Sequence, residues 1–152
     1  MVRAWRIVKT RYSADAFTGE GARLYGGRWN SPGTAIVYTP GSTSLATLEL
    51  LVHLNTSLLR RFSICPVDFD DSFVELLDPA ALPRDWRQSP PPNSLRVVGD
   101  DWISRGSSVA LRVPSAVIER EYNYLINPAH VDFDKLVIGK LEVFTLDPRL
   151  IP

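Results

Sequence analysis

Apolar residues along the chain fall into short runs whose spacing shifts between a strand period and a helix period. Residues 4–8, AWRIV, mix β-branched and aromatic side chains and predict a first strand. Residues 35–39, AIVYT, form an apolar run between two Pro-Gly pairs and predict a buried strand. A helix is predicted from about Thr43 to Leu54, capped by Ser42 or Ser44. On that helix Leu45, Leu48 and Val52 make an apolar stripe, with Glu49 at its edge. RRFSICPVDF, residues 60–69, predicts another strand. The proline-rich residues 78–94, with Pro90, Pro91 and Pro92 in succession, predict a solvent-facing loop with one helical turn around Trp86, too short to link domains. Leu95, Val98 and Trp102 fall at helical spacing, with Gly106 as C-cap. Residues 108–113 and 135–146 predict further strands.

Strands and helices do not alternate regularly, which argues against a doubly wound parallel sheet. The pattern fits an α+β fold: one domain over residues 1–152, with mixed or antiparallel sheets and a few helices. A length of 152 residues suits one domain with a real core. No apolar run approaches the roughly twenty residues of a membrane helix, and MVRAWRIVKTRY lacks the apolar stretch of a signal sequence. The expectation is a soluble cytoplasmic protein.

Charge changes the picture only in its distribution. Seventeen basic residues balance seventeen acidic ones, which argues against bulk attraction to nucleic acid or membrane. Residues 1–61, however, hold eight Lys/Arg and three Asp/Glu, so an anionic ligand would favour the N-terminal part. Cys65 is the single cysteine; with two histidines, a zinc site within one chain is not expected.

Candidate chemistry gathers first in GEGARLYGGRWNSPG, residues 19–33, which holds five of the nine glycines around Arg23 and Arg28. Glycine permits unusual backbone angles and close approach, and arginine offers a donor fork suited to phosphate or carboxylate. Neither phosphate fingerprint is met: Leu24 stands where G-x-G-x-x-G needs its last glycine, and Gly27-Arg28 replace the Lys-Ser/Thr of a P-loop. A turn with exposed arginines and an anion site both stay open. A carboxylate on the core side of a helix is costly unless paired. Glu49 therefore reads either as a salt-bridge partner, with Arg28 a candidate, or as a carboxylate held in a cleft to face positive charge. Tyr38 either walls a pocket beside Glu49 or belongs to the core. Ser115, in VPSAV, has no spacing to a histidine that suggests a nucleophile–base pair; it binds a ligand or caps a turn.

Three blocks, GARLYGGRWNSPGTAIVYT, LATLELLVHL and VPSAVIEREYNYLINPAH, resemble the RES domain family over about Asp15 to Asp147. Val131 departs from the proline usual in relatives. The resemblance implies a fold similar to ADP-ribosyltransferases and the toxin of a two-gene toxin–antitoxin pair that consumes NAD. It places Arg28, Tyr38, Glu49 and Ser115 in the catalytic site, with Arg23 and Asn123 as further substrate contacts. Ser115 is chosen as the family serine over Ser107 and Ser108 by its VPSAV context. NAD is then substrate, with no prosthetic group and no metal. The implied partner is an Xre-type antitoxin that has a helix-turn-helix part and covers the cleft, so that DNA is met only through the antitoxin.

Breaking the nicotinamide–ribose bond builds positive charge on the sugar, as in glycoside hydrolysis. On this reading Glu49 stabilises that charge, Arg28 clamps the pyrophosphate with Arg23 near it, Tyr38 stacks on or encloses the nicotinamide, and Ser115 orients the ribose or amide. The acceptor is water or inorganic phosphate. The alternatives are an ADP-ribosyltransferase acting on a protein, and a non-catalytic module that binds nucleic acid through Arg3, Arg6, Lys9 and Arg11 with Trp5 and Tyr12, residues that otherwise form an exposed strand face.

Overall fold

The alternating residues of β1 (Val2–Lys9) bury Ala4 and Val8 and pair the strand antiparallel along the whole of β3 (Phe62–Phe69). This computed structural model describes residues 1–54 and 61–151. After β1 come α1 (Glu20–Tyr25), β2 (Val37–Pro40) and α2 (Thr43–His53). Following β3 are β4 (Val74–Leu76), α3 (Asn93–Arg105), β5 (Ala110–Pro114), β6 (Tyr122–Ile126), β7 (Val137–Ile138) and β8 (Glu142–Phe144). One four-stranded sheet has β3 at its centre, with β1 on one side and β7 and β8 end to end on the other. The second runs β2-β6-β5-β4, antiparallel except for the parallel β4–β5 pair. The α+β expectation of mixed sheets with a few helices is met.

The core has two layers. Ala4, Val67 and Phe69 of the first sheet pack against Val37, Ala110 and Ile126 of the second. The opposite face of the second sheet presents Leu111, Val113 and Leu125 to Trp29, Ile36 and the α3 residues Leu95 and Trp102. Each large apolar side chain fully buried here contributes roughly 1.5–3 kcal/mol. Helix α3 comes close because of Gly99: a Cβ there would lie 1.7 Å from the Trp29 carbonyl oxygen.

Four expectations need correcting. The glycine-rich stretch is not all loop; its EGARLY forms α1. Residues 135–146 form two short strands, because the outer chain spends four steps, Ile138 to Glu142, where β3 spends three, Val67 to Ile64. Pro66 lies at this bulge and brings no N–H to the ladder; Gly139 N–H donates to its carbonyl, and the Cys65 thiol donates to Gly139 O at 3.1 Å. On α2 the buried positions are Leu45 and Ala46, whereas Val52 is 60% exposed. Glu49 lies three and four residues after the buried pair, so it stands on the inward face and not at its edge. Arg6, expected on an exposed face, turns inward and donates to Ala16 O and Tyr38 O; burial lowers its pKa. Strands β4 and β6 were not foreseen. Position 60 of the predicted third strand lies outside the described residues, and no helix among those described is long and apolar enough to cross a membrane.

Candidate functional site

Cross-strand register fixes where the apolar face of the second sheet turns polar. Tyr38, Leu125 and Leu111 stand in one row across β2, β6 and β5; Pro40, Asn123 and Val113 stand in the next. Two residues beyond Val113 the same face presents Ser115, which is fully buried, as Asn123 nearly is. Glu49 arrives from α2, whose start is fixed by Ser42 accepting the Leu45 N–H at 3.0 Å.

The three polar groups meet on one oxygen. Ser115 Oγ donates to Glu49 Oε1 at 2.8 Å, and Asn123 Nδ2 donates to the same oxygen at 2.7 Å. Ser115 Oγ in turn accepts the backbone N–H groups of Val117 at 3.1 Å and Ile118 at 3.2 Å. A hydroxyl has one proton and two lone pairs, so this one is saturated. Among the described residues no donor reaches Glu49 Oε2. One carboxylate oxygen is therefore anchored, and the other takes no hydrogen bond from the described residues. Asn123 Oδ1 is buried without a partner among the described residues.

Tyr38, Arg28 and the residues around them make the second half. Tyr38 Oη donates to Asn30 Oδ1 at 2.6 Å and accepts the Trp29 N–H at 3.0 Å. Burial pushes its phenol well above the ordinary value, an effect the Trp29 N–H partly offsets. Asn30 is fully buried, and its Nδ2 donates to the carbonyls of Ala22, Ser31 and Thr34, tying the loop after α1 into one shape. The close approach that the glycines allow is made by protein groups: a Cβ on Gly27 would lie 2.6 Å from Tyr38 Oη. Arg28 Nη1 donates to the carbonyls of Trp86 at 3.0 Å and Gln88 at 2.7 Å. Burial lowers the Arg28 pKa, opposed by the Glu49 carboxylate and Tyr38, which puts each of those two within electrostatic range of Arg28. Arg28 and Glu49 form no contact ion pair; Ser115 and Asn123 hold one oxygen of the carboxylate instead.

The structure thus brings Arg28, Tyr38, Glu49, Ser115 and Asn123 together. It does not bring in Arg23, which lies on α1 and pairs with Glu20 at 2.5 Å toward solvent. Asn30 went unnoticed in the sequence, although an asparagine inside GGRWN among turn residues is the signal for a side chain that bonds local carbonyls. The proline-rich segment is also more than solvent-facing loop, since its backbone holds Arg28. At the end of β1, Lys9, Thr10, Arg11 and Arg61 line a basic cleft of about 420 Å³.

The sequence and fold match a known class. Residues 3–147 match the family model described as RES domain, and the chain belongs to that family. It is 41% identical over 148 residues to the protein named Toxin Res of Yersinia enterocolitica serotype O:8 / biotype 1B, covering 96% of this chain and 97% of that one. It is 37% identical to the Prs ADP-ribosylating toxin of Sphingobium sp. strain YBL2, over 97% of this chain and 95% of that one. In fold it matches a chain of the M. tuberculosis MbcT-MbcA toxin–antitoxin complex, with TM-score 0.79 and 19% identity, over 95% of this chain and 84% of that chain.

Proposed function

We propose that this protein is the toxin of a toxin–antitoxin pair and that its cleft breaks the nicotinamide–ribose bond of NAD. The observation that carries the reading is Glu49: a carboxylate on the inward face of α2, anchored among the described residues through Oε1 alone, with Arg28 in electrostatic range. As the C–N bond breaks, its electron pair goes to the pyridinium nitrogen, nicotinamide leaves neutral, and positive charge develops at the ribose. Glu49 Oε2 faces that charge, and a carboxylate already held in place stabilises it without having to reorganise. Water or inorganic phosphate then adds to the sugar carbon, and water sheds a proton in doing so.

The remaining residues support these steps. With Nη1 spent on two carbonyls, Arg28 meets the pyrophosphate through Nε and Nη2. Tyr38, its hydroxyl already bonded to Asn30 and Trp29, serves by its ring. Ser115 is saturated and buried, so it acts by holding Glu49. The partner is an antitoxin that covers the cleft, of the Xre type with a helix-turn-helix part; the MbcT-MbcA structure, named a toxin–antitoxin complex, supports only that there is an antitoxin partner.

The test is NAD turnover by partner-free protein, with and without phosphate, for wild type and Glu49→Ala. Nicotinamide release that disappears in a folded Glu49→Ala supports the reading, and dependence on phosphate identifies phosphorolysis. Wild type that releases no nicotinamide in either buffer overturns it. The name of the Sphingobium relative favours a second reading, transfer of ADP-ribose to a protein; labelled NAD that marks a protein target distinguishes the two.

A further inference from the structure

We propose that Arg87 is a positioning residue that acts through Ser115 on Glu49, and that residues 86–88 form a clip joining the two halves of the site; this rests on the NAD-cleaving reading above. Three consecutive residues face in opposite directions. The carbonyls of Trp86 and Gln88 hold Arg28 Nη1 on one side. On the other side Arg87 Nε donates to Ala116 O at 3.1 Å, and its Nη2 makes a longer contact of 3.5 Å to Val117 O. The clip is itself braced: Trp86 packs against the buried cluster around Trp29 and Trp102, and the Trp86 and Gln88 N–H groups bond back to Pro83 O and Asp85 O.

The choice of acceptors gives Arg87 its role. The Ala116 carbonyl shares a peptide unit with the Val117 N–H, and the Val117 carbonyl shares one with the Ile118 N–H. Those two N–H groups are the ones that donate to Ser115 Oγ. The Arg87 end of this chain is exposed and the Ser115 end is buried, so the guanidinium acts chiefly by fixing the two peptide planes whose N–H groups hold the hydroxyl. One chain of contacts thus runs from Arg87 through two peptide units to Ser115 Oγ and on to Glu49 Oε1. The Arg87–Glu119 pair at 3.4 Å is exposed on both sides and stands outside this chain.

The experiment compares Arg87→Ala, Arg87→Lys and Glu119→Ala by steady-state nicotinamide release and by amide hydrogen exchange at Val117 and Ile118. Arg87→Ala is expected to lower kcat roughly three- to thirtyfold with KM for NAD unchanged. It should also make the Val117 and Ile118 amides exchange about tenfold faster. Arg87→Lys should recover part of both, and Glu119→Ala should alter neither. Placed on Ser115→Ala, Arg87→Ala should cost nothing further. Unchanged exchange at the two amides in Arg87→Ala, or losses that simply multiply in the double variant, overturns the proposal. If wild type releases no nicotinamide, the NAD reading falls separately. The exchange data then decide the structural link by themselves: faster exchange in Arg87→Ala upholds it, and unchanged exchange ends it.

Discussion

Ser115 Oγ donates to Glu49 Oε1 at 2.8 Å across 66 residues of sequence, and that bond uses the only proton the hydroxyl has. On the proposed NAD cleavage, Ser115→Ala should therefore cut turnover roughly ten- to hundredfold, the scale for groups that orient a ligand-contacting side chain. In a Glu49→Ala background the same change should do nothing more to turnover. A serine that touched substrate would instead weaken NAD binding in both backgrounds. Rates and NAD affinity of the four proteins check this.

Tyr38→Phe removes one oxygen and strands two partners, Asn30 Oδ1 and the Trp29 N–H. Leaving buried polar groups unpaired costs about 1–3 kcal/mol. At about 2–4 °C per kcal/mol for a chain of this size, thermal unfolding should show it clearly.

The same phenol sets a limit at high pH. Burial raises the folded-state pKa of Tyr38 above its ordinary value, whereas in the unfolded chain it ionises near pH 10. The unfolded state therefore sheds this proton first, and the group's contribution to stability, complete below about pH 10, declines as pH rises toward the folded value. Denaturant unfolding across pH 9–11.5 should show a downward slope that is shallower in Tyr38→Phe.

Two glycines of one stretch should respond in opposite ways. Gly27→Ala places a Cβ 2.6 Å from Tyr38 Oη, so Tyr38 and Asn30 must shift; both stability and turnover should fall. Gly21 lies inside α1 with nothing within 4 Å of a Cβ, so Gly21→Ala should be neutral or stabilise by up to about 1 kcal/mol. Melting curves and turnover of the pair give the comparison.

Gly99→Ala makes a parallel case at the back of the site. Its Cβ would meet the Trp29 carbonyl oxygen at 1.7 Å, which forces α3 away from the loop that carries Arg28. Overpacking of this kind costs about 1–3 kcal/mol or more. The melting temperature should drop, with turnover falling alongside it.

Local signals carried much of this in the sequence. Ser42 capping α2, the Leu95–Trp102 spacing of α3 and the Gly106 cap all produced the elements expected of them. The short strand β4 and the asparagine-bearing β6 did not show, because each is set by its neighbours across the sheet and not by its own pattern. Glu49 was legible as a misplaced charge, and the resemblance set Ser115 and Asn123 in its site, but their bonds to the carboxylate did not show, since both reach it through sheet register. Asn30 and the clip were hidden for a related reason: their hydrogen bonds run to or from backbone carbonyls, which no side-chain pattern records.

The grip on Arg28 is made by main-chain oxygens at positions 86 and 88. Such a device reads chain length and ignores side-chain identity. Gln88 can be exchanged for almost any residue that keeps the backbone path, but a single insertion or deletion between Pro83 and Gln88 would put a wrong peptide plane against the guanidinium. Across related chains, the invariant to seek in this segment is therefore its spacing, even where no letter is shared.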